Sequence, residues 1–595
     1  MIARTNPPRI VSSKNEPAAA AQIIRLSAKS GQTRLERAVN QAGIDTRPCF
    51  TSSWIEAIGN AAEPTVARYS VMGVDVAITA PQGTSNGRYL VDPPEYRLNP
   101  IYLQALSEAI DEIVESVPVD FDIGSLATIR PYIRAKAKDS LFSKLAGRTS
   151  QTEGADKLER TVDNLAELLC KHTAGYGVLE TLLEDNNVQD IYVDSPSSQT
   201  PVCVVLRSDV SEPVRQKCRT NIFVGARDLH GFVSRVKFET GLPFSEANPV
   251  LEADIRRLGA RVTLVGPPLS DKGTAIAIRK HSEGLWTMTM LVAGGCLSPL
   301  LASLLWACVM GRRAVLIAGS RGAGKTTLLG SMMLEFPLSQ RIILIEDTPE
   351  IPYRHMQELG YDIQALRFSE SPDRSSSSAE NSLRVSLRMG ESAIVIGEVR
   401  GAEAKVLYES MRAGSAGSSV LGTIHGNSAK GVLDRAIEDL SISERAFSST
   451  DIIVVIGMIR SADGSRFQRR VVEVAEVRGA GPKVQLIPLF TTMPGCSCAK
   501  PTEHFVPECK TIAGIASALG LAPVYVMDVI KARAHADQTL ADAAADKCGM
   551  KGVLSTSVRV ASNEQLAKHL FCQNGPESGL REWKGWFDKV KSGKA

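Results

Sequence analysis

A glycine-rich loop between a predicted strand and a predicted helix constrains the fold of this 595-residue chain more than any other feature. The apolar run Ala314–Ala318 leads directly into Gly319-Ser-Arg-Gly-Ala-Gly-Lys-Thr-Thr327, and a helix-forming stretch follows. This is the G-x-x-x-x-G-K-T pattern of a phosphate-binding loop in its required strand–loop–helix setting. The glycines let the backbone curl so that its N–H groups face phosphate oxygens, and the N-terminus of the helix favours negative charge.

The loop predicts a site for ATP and Mg²⁺. The ammonium group of Lys325 would neutralise the β- and γ-phosphates, and the hydroxyl of Thr326 would hold the metal ion. The predicted nucleotide-binding residues form one continuous stretch: Gly319, Ser320, Arg321, Gly322, Ala323, Gly324, Lys325, Thr326 and Thr327.

Alternating strands and helices around this loop predict an α/β fold with a mostly parallel sheet and helices on both of its faces. The predicted strands are Ala314–Ala318, Arg341–Glu346, Ala393–Gly397, Val420–Ile424 and Asp451–Ile456. The preceding region mixes helical spacing with short strand-like runs and predicts an α+β domain. Its elements are helices at Tyr102–Val117, Lys157–Leu182 and Ala226–Thr240, with strands at Ile191–Val193, Val202–Leu206, Arg261–Val265 and Ala275–Ile278.

Carboxylates end two of the predicted parallel strands. Glu346 closes one strand and Glu398 follows Gly397 at the end of another, while His425 closes a third. Because the carboxyl ends of parallel strands meet at one edge of a sheet, these side chains are expected near the phosphates. We expect Glu346 to orient the attacking water, Glu398 to serve the Mg²⁺ shell, and His425 to sense the γ-phosphate.

Composition limits the class of protein. Apolar residues make up 44% of the chain and the formal net charge is only +3, so nucleic acid is not the expected partner. Eleven cysteines and the absence of a secretory signal predict a reducing cytoplasm. The uncharged stretch Trp286–Gly311 is long enough for a membrane span, but its glycines and Ser298-Pro299 favour a buried helix at Pro299–Met310.

A cluster near the C-terminus contains four side chains that could bind zinc: Cys496, Cys498, His504 and Cys509. The spacing departs from the paired C-x-x-C pattern of structural zinc sites. Free thiols in an irregular extension are therefore the favoured interpretation.

The phosphate loop, the two acidic strand ends and the histidine, in this chain order, resemble the ATPases of type II and type IV secretion systems, which also drive pili and archaella. The matching segments are Gly319–Thr327, Ile345–Glu350, Gly397–Arg400 and Gly417–Asn427. Segments of the preceding region resemble the N-terminal domain of the archaeal branch: Tyr176–Glu180, Asp190–Asp194, Arg219–Asn221, Pro243–Pro249 and Ala277–His281.

The resemblance implies a RecA-like P-loop domain at residues 291–490, an α+β N-terminal domain at 96–290, a variable and partly disordered extension at 1–95, and a C-terminal extension at 491–595. It also implies that arginines of the N-terminal domain reach the phosphates, and Arg261 and Arg279 stand at the matching places. The basic residues 1–40 are either a solvated tail or a segment weakly attracted to an anionic membrane.

The same resemblance implies a chain that would form a hexameric ring on the cytoplasmic face of the membrane and hydrolyse ATP. The ring would act on a polytopic inner-membrane platform protein, and through it on pilin-like or secreted substrates. Two departures from the family pattern concern the roles of single residues. Gly390-Glu-Ser392 lacks the usual aspartate, and Ala413–Gly417 lacks the first histidine of the family's histidine segment.

Two alternatives remain open from the residues alone. A nucleic-acid motor of the same fold predicts stimulation of ATP hydrolysis by DNA and a basic pore. A nucleotide-binding scaffold predicts binding of ATP without release of phosphate.

Overall fold

A computed structural model describes most of the chain. The described residues are 48, 50–57, 64–81, 86–116, 126–146, 155–207, 217–281, 284–367, 379–386, 388–390, 392–401, 403–412, 419–460, 467–479, 483–493, 498–545, 551–570 and 575–592. The basic residues 1–40, Cys496, Glu391 and residues 413–418 lie outside these ranges. The chain divides into two compact units, Met1–His281 and Ser282–Ala595.

The first unit is an α+β unit built mainly on a nine-stranded sheet. Its strands are β1 (Trp54–Ile55), β2 (Thr65–Val71), β3 (Val74–Thr79), β4 (Gly87–Asp92), β5 (Val188–Val193), β6 (Cys203–Leu206), β7 (Lys217–Thr220), β8 (Ile222–Phe223), β9 (Val250–Ile255), β10 (Ala260–Val265) and β11 (Ala275–Lys280). Its helices are α1 (Pro100–Ser116), α2 (Leu126–Leu145), α3 (Ala155–Thr173), α4 (Val178–Glu184) and α5 (Ala226–Thr240).

The described strands of this sheet follow the order β2-β3-β4-β7-β6-β5-β11-β10-β9, and β1 pairs separately with β8. Strands β2 to β4 precede residue 95, so part of the expected extension at residues 1–95 joins the sheet of the α+β unit. The reason is visible in their alternation, since Val74, Val76 and Ile78 of β3 are buried in the same cluster as Val188 and Ile191 of β5.

The second unit contains the predicted parallel sheet. Its strands are β12 (Ala314–Gly319), β13 (Ile342–Glu346), β14 (Ile363–Arg367), β15 (Ala393–Val399), β16 (Val420–His425), β17 (Ile452–Arg460), β18 (Phe467–Gly479), β19 (Val484–Thr491) and β20 (Lys500–Pro501). Their order is β14-β13-β15-β16-β12-β17-β18-β19-β20.

The part of this sheet from β14 to β17 is parallel, and β17 to β20 continue it as antiparallel neighbours. One strand, β16, separates the loop strand β12 from β15, which is the strand order of RecA-like P-loop domains. The fold class expected from the sequence is therefore confirmed.

Helices cover both faces of this sheet, and a further group follows it in the chain. The helices are α6 (Met288–Ala293), α7 (Pro299–Met310), α8 (Lys325–Met333), α9 (Tyr353–Glu358), α10 (Ala379–Ser386), α11 (Glu403–Arg412), α12 (Ala429–Glu438), α13 (Glu444–Phe447), α14 (Lys510–Leu519), α15 (Pro523–Ala545), α16 (Thr556–Leu570) and α17 (Pro576–Lys591). One buried cluster joins α7 and α8 to the C-terminal helices. A second cluster joins α11, α12 and α13 to the opposite face.

Helix α7 is the buried helix predicted between Pro299 and Met310. Ser298 caps its N-terminus by accepting a hydrogen bond from the N–H of Leu301, and Gly311 follows its C-terminus. In the described part of the chain, no single helix is long and apolar enough to cross a membrane. The pair Lys510–Leu519 and Pro523–Ala544 reaches the required length only when taken together, and it is bent by 96°.

Candidate nucleotide site

The phosphate-binding loop joins β12 to α8, which begins at Lys325. Gly322 and Gly324 have φ angles of +79° and +101°, values that side chains with a Cβ rarely adopt. A Cβ at Gly319 would lie only 2.5 Å from the carbonyl oxygen of Ile456 on β17. The three glycines are therefore required by the backbone path, and the first N–H groups of α8 are directed toward the loop.

Lys325 is folded back over its own loop. Its side chain is buried, and its ammonium group lies 3.2 Å from the carbonyl oxygens of Gly319 and Ser320. The same group is 3.4 Å from Nδ1 of His425. A phosphate that enters the loop would offer this cation a negatively charged partner in place of neutral carbonyls.

His425 lies between the phosphate-binding loop and Glu398, the carboxylate of β15. It closes β16, where it is paired in register with Gly319 of β12. Its Nε2 atom lies 2.7 Å from Oε1 of Glu398, without the alignment of a hydrogen bond. Burial lowers the pKa of His425, an effect that the charge of Glu398 partly opposes. The three side chains of Lys325, His425 and Glu398 thus form one contiguous group.

A β-bulge sets the direction of Glu398. The pairing of β15 with β16 shifts between Ile396 and Val399, so Gly397 and Glu398 occupy an irregular stretch of the strand. Bulges re-aim side chains and are common beside functional sites. Burial alone would raise the pKa of Glu398, but the hydrogen bond from Arg400 and the charges of Arg400, His425 and Lys325 hold that pKa below its usual value.

Glu346, the other acidic strand end, lies against the same bulge. Its strand β13 is parallel to β15, and a Cβ at Gly397 would lie 3.0 Å from Cγ of Glu346. Its Oε1 atom accepts hydrogen bonds from the N–H groups of Glu350 and Ile351, at 3.1 and 3.2 Å. Burial nevertheless dominates and raises the pKa of Glu346 to about 8. A carboxyl group with this pKa can exchange a proton near neutral pH, as a general base must.

Arg400 is a residue of the site that sequence reasoning did not single out. Its guanidinium group is 2.5 Å from Oε2 of Glu398 and 3.3 Å from Oδ2 of Asp347. Arg400 therefore joins the carboxylates that end β13 and β15. Its place two residues after Glu398 gave no usable signal, because the bulge at Gly397 and Glu398 breaks the alternation of side chains along the strand.

These residues fit Mg²⁺ and a nucleoside triphosphate. The half-buried hydroxyl of Thr326 and the carboxylate of Glu398 are oxygen donors, which is the ligand type that Mg²⁺ prefers. Oε1 of Glu398 is buried and accepts no hydrogen bond from any residue that the structure describes. Bound Mg²⁺ would neutralise charge that develops on the phosphates.

The family model for type II/IV secretion system proteins matches residues 177–502, which is more than half of the chain. The chain belongs to this family. The matched range includes every predicted site residue, and it ends before the helices α14 to α17.

Bacterial and archaeal proteins are both similar to the chain. A putative conjugal transfer protein of Mycobacterium tuberculosis is 28% identical over 331 residues, which cover 54% of this chain and 90% of that protein. The type IV secretion system protein PtlH of Bordetella pertussis is 30% identical over 264 residues, covering 38% and 74% respectively. An uncharacterised protein of Methanocaldococcus jannaschii is 26% identical over 321 residues, covering 53% and 55%. The archaeal relative fits the expected likeness to the archaeal branch of the family.

The two arginines that the family resemblance suggested are neighbours in the first unit. Arg261 on β10 is directly opposite Arg279 on β11. Arg261 lies 3.1 Å from Oε2 of Glu252, and Arg279 lies 3.9 Å from Oδ1 of Asp190. Both guanidinium groups are partly exposed, so a phosphate could exchange for these weakly held carboxylates.

The cysteine cluster contains a core residue. Cys509 is fully buried, and burial raises the pKa of its thiol to about 11. Cys498 is partly exposed, and His504 is 3.9 Å from Glu503. No group of three metal-binding side chains occurs among the described residues, and Cys496 lies outside them.

Proposed function

We propose that this chain is a Mg²⁺-dependent ATPase that works as a hexameric motor of a secretion or filament-assembly system. The observation that carries the proposal is the contiguous group formed by Lys325, His425 and Glu398 beside Glu346. It brings the phosphate-binding cation, a candidate metal ligand and a candidate base to one edge of the parallel sheet. Membership of the secretion family supports the choice of a motor over other ATPases.

In this mechanism Lys325 and the loop N–H groups bind the β- and γ-phosphates, while Thr326 and Glu398 would hold Mg²⁺. Glu346, in its deprotonated form, accepts a proton from the water that attacks the γ-phosphate in line with the bond to be broken. His425, which lies between Lys325 and Glu398, senses whether the γ-phosphate is present. Arg261 and Arg279 add positive charge that stabilises the transferring phosphoryl group.

The ring is proposed to sit on the cytoplasmic face of the membrane as a peripheral assembly. There it would act on a polytopic platform protein of the inner membrane and, indirectly, on pilin-like or secreted substrates. The proposal includes two domains, an N-terminal α+β domain and a RecA-like domain at residues 291–490. Conformational change in switching proteins commonly moves one domain relative to another, which is how such a motor would work.

The decisive experiment measures ATP binding and phosphate release for the purified chain and two variants. Lys325→Ala should lose both, because the loop then lacks its cation. Glu346→Gln should keep ATP affinity within a few fold of the wild type and lose turnover by about 10²-fold or more, since general base catalysis typically contributes that much.

Matched controls use exposed residues of the same unit. Lys430→Ala on α12 removes a lysine, and Glu358→Gln at the end of α9 neutralises a carboxylate. Both controls should retain binding and turnover. A wild-type chain that binds ATP without releasing phosphate would refute the enzyme and favour the scaffold, and stimulation of turnover by added DNA would favour the nucleic-acid motor.

A further inference from the structure

Strand β18 places an arginine directly on the phosphate-binding loop. Nε of Arg469 donates a hydrogen bond to the carbonyl oxygen of Gly322 at 3.0 Å. The stem of the same side chain passes over Gly324, where a Cβ would lie 3.4 Å from Cδ of Arg469. The absence of a side chain at Gly324 thus leaves room for Arg469 to reach the loop.

The contacted carbonyl belongs to the peptide group that joins Gly322 to Ala323. In a trans peptide the C=O and N–H bonds point in opposite directions. The hydrogen bond from Arg469 keeps the carbonyl oxygen of Gly322 pointing toward β18. The N–H of Ala323 therefore points the opposite way, toward the inside of the loop. In the structure that N–H donates to the carbonyl of Ser320, 3.2 Å away within the loop. Arg469 fixes the orientation of a donor that a phosphate would use.

A second β-bulge explains why Arg469, and not its neighbour, faces the loop. Val455 of β17 is paired with Glu473 of β18, but Ile456 is paired with Val471, so Val472 is an extra residue. Beyond the bulge, Arg469 shares a face with Val471 and Ile456, which belong to the buried cluster containing α8. Without the extra residue that face would receive Arg470.

We propose that Arg469 is a positioning residue of the nucleotide site, which holds the phosphate-binding loop in its binding conformation from the neighbouring antiparallel strand. The inference rests on the proposed nucleotide-binding function and adds to it a residue outside the loop and outside the acidic strand ends. Because its contact is with the backbone of the loop, Arg469 serves ATP and ADP alike.

The test uses the full chain with three substitutions: Arg469→Met, Arg469→Lys and Arg470→Met. Titration calorimetry with Mg²⁺-ATP and Mg²⁺-ADP should show affinity for both nucleotides about tenfold weaker in Arg469→Met, as expected for one lost hydrogen bond from a charged donor. Arg469→Lys keeps the charge but moves the donor one bond farther along the chain, so its affinity should be intermediate. Arg470→Met should bind within twofold of the wild type, because Arg470 contacts Gln468 instead.

Steady-state kinetics distinguish positioning from catalysis. A role in binding raises KM in Arg469→Met and leaves kcat within about twofold of the wild type. The inference is overturned if Arg469→Met, or Arg469→Lys where the first variant does not fold, binds both nucleotides as the wild type does. It is equally overturned if only ATP affinity falls, since that pattern requires a γ-phosphate contact. A wild-type chain that binds neither nucleotide would instead refute the proposed function itself.

Discussion

Burial raises the pKa of Glu346, which has a consequence for the stability of the chain. Its pKa is raised from 4.5 to about 8, so the folded chain retains this proton between those two values while the unfolded chain does not. The unfolding free energy should therefore fall as pH rises from about 4.5 to about 8 and level off above that range. Glu346→Gln, a neutral isostere, should remove this contribution.

The expected difference between wild type and Glu346→Gln is small at pH 5 and favours the variant by on the order of 3–5 kcal/mol at pH 9. Urea unfolding followed by tryptophan fluorescence measures it, since four of the five tryptophans lie after residue 281. Glu358→Gln is the control, because its carboxylate is largely exposed. Parallel pH profiles for wild type and Glu346→Gln would show that the carboxyl titrates normally.

The loop and the acidic strand ends could be located from the sequence because each follows a recognisable strand. The sequence did not show in the same way that Arg400 and Arg469 lie beside the loop and the acidic strand ends. The direction of Glu398 depends on the bulge in β15, and the direction of Arg469 depends on the bulge in β18. A bulge shifts the side-chain alternation by one residue without a fixed sequence signature, so faces beyond it cannot be read from spacing.

At the scale of elements, the C-terminal helices are attached to the helix that follows the phosphate loop. Glu335, two residues after α8, accepts hydrogen bonds from Arg559 on α16 and from Arg533 on α15. Arg559 also pairs with Asp537, and the guanidinium group of Arg533 lies 4.2 Å from the ring centre of Trp306 on α7. All four charged side chains are fully buried.

The balance of two cations and two anions makes this network sensitive to the loss of one partner. Arg559→Met should lower the unfolding free energy by about 3–5 kcal/mol, because it leaves a buried carboxylate charge uncompensated. Lys531→Met on α15 is the matched control, since Lys531 and Asp528 form an exposed pair 3.8 Å apart. Its effect should stay within about 1 kcal/mol.

Urea midpoints of the two variants give the comparison. Equal midpoints for Arg559→Met and the wild type would show that the network is not needed for stability. An additional fall in ATP affinity for Arg559→Met would indicate that the network also holds α8, and with it the loop, in place.

The sequence predicted the parallel strands well and the antiparallel ones poorly. Buried parallel strands are continuous apolar runs, as in Ala314–Ala318 and Ala393–Gly397, whereas β18 carries charged residues along most of its length. The C-terminal helices looked like an appended element for a related reason. The contacts of α14 and α15 with α7 are long-range, and Ile515 and Ile530 are buried in the cluster that contains α7.

At the scale of the whole molecule, the two units have separate cores. The buried clusters of the first unit contain no residue beyond Ile278, and those of the second begin at Leu285. The predicted site residues divide in the same way, because the loop, Glu346, Glu398 and His425 belong to the second unit while Arg261 and Arg279 belong to the first.

This division predicts that residues 282–595 alone bind nucleotide and hydrolyse it slowly. The segment keeps the loop, Arg469 and the buried network around Glu335, so its affinity for Mg²⁺-ATP should stay within a few fold of the full chain. It lacks Arg261 and Arg279, and loss of cations that stabilise a transferring phosphoryl group typically costs 10²-fold or more in turnover.

The full chain carrying Arg261→Met and Arg279→Met should reproduce that loss of turnover with the first unit still present. If the double variant hydrolyses ATP at the wild-type rate, the arginines have no role in the chemistry, and slow turnover by the segment would then have to come from its failure to assemble. Sedimentation of both proteins at matched concentrations distinguishes these causes, because the double variant should retain the assembly state of the wild type.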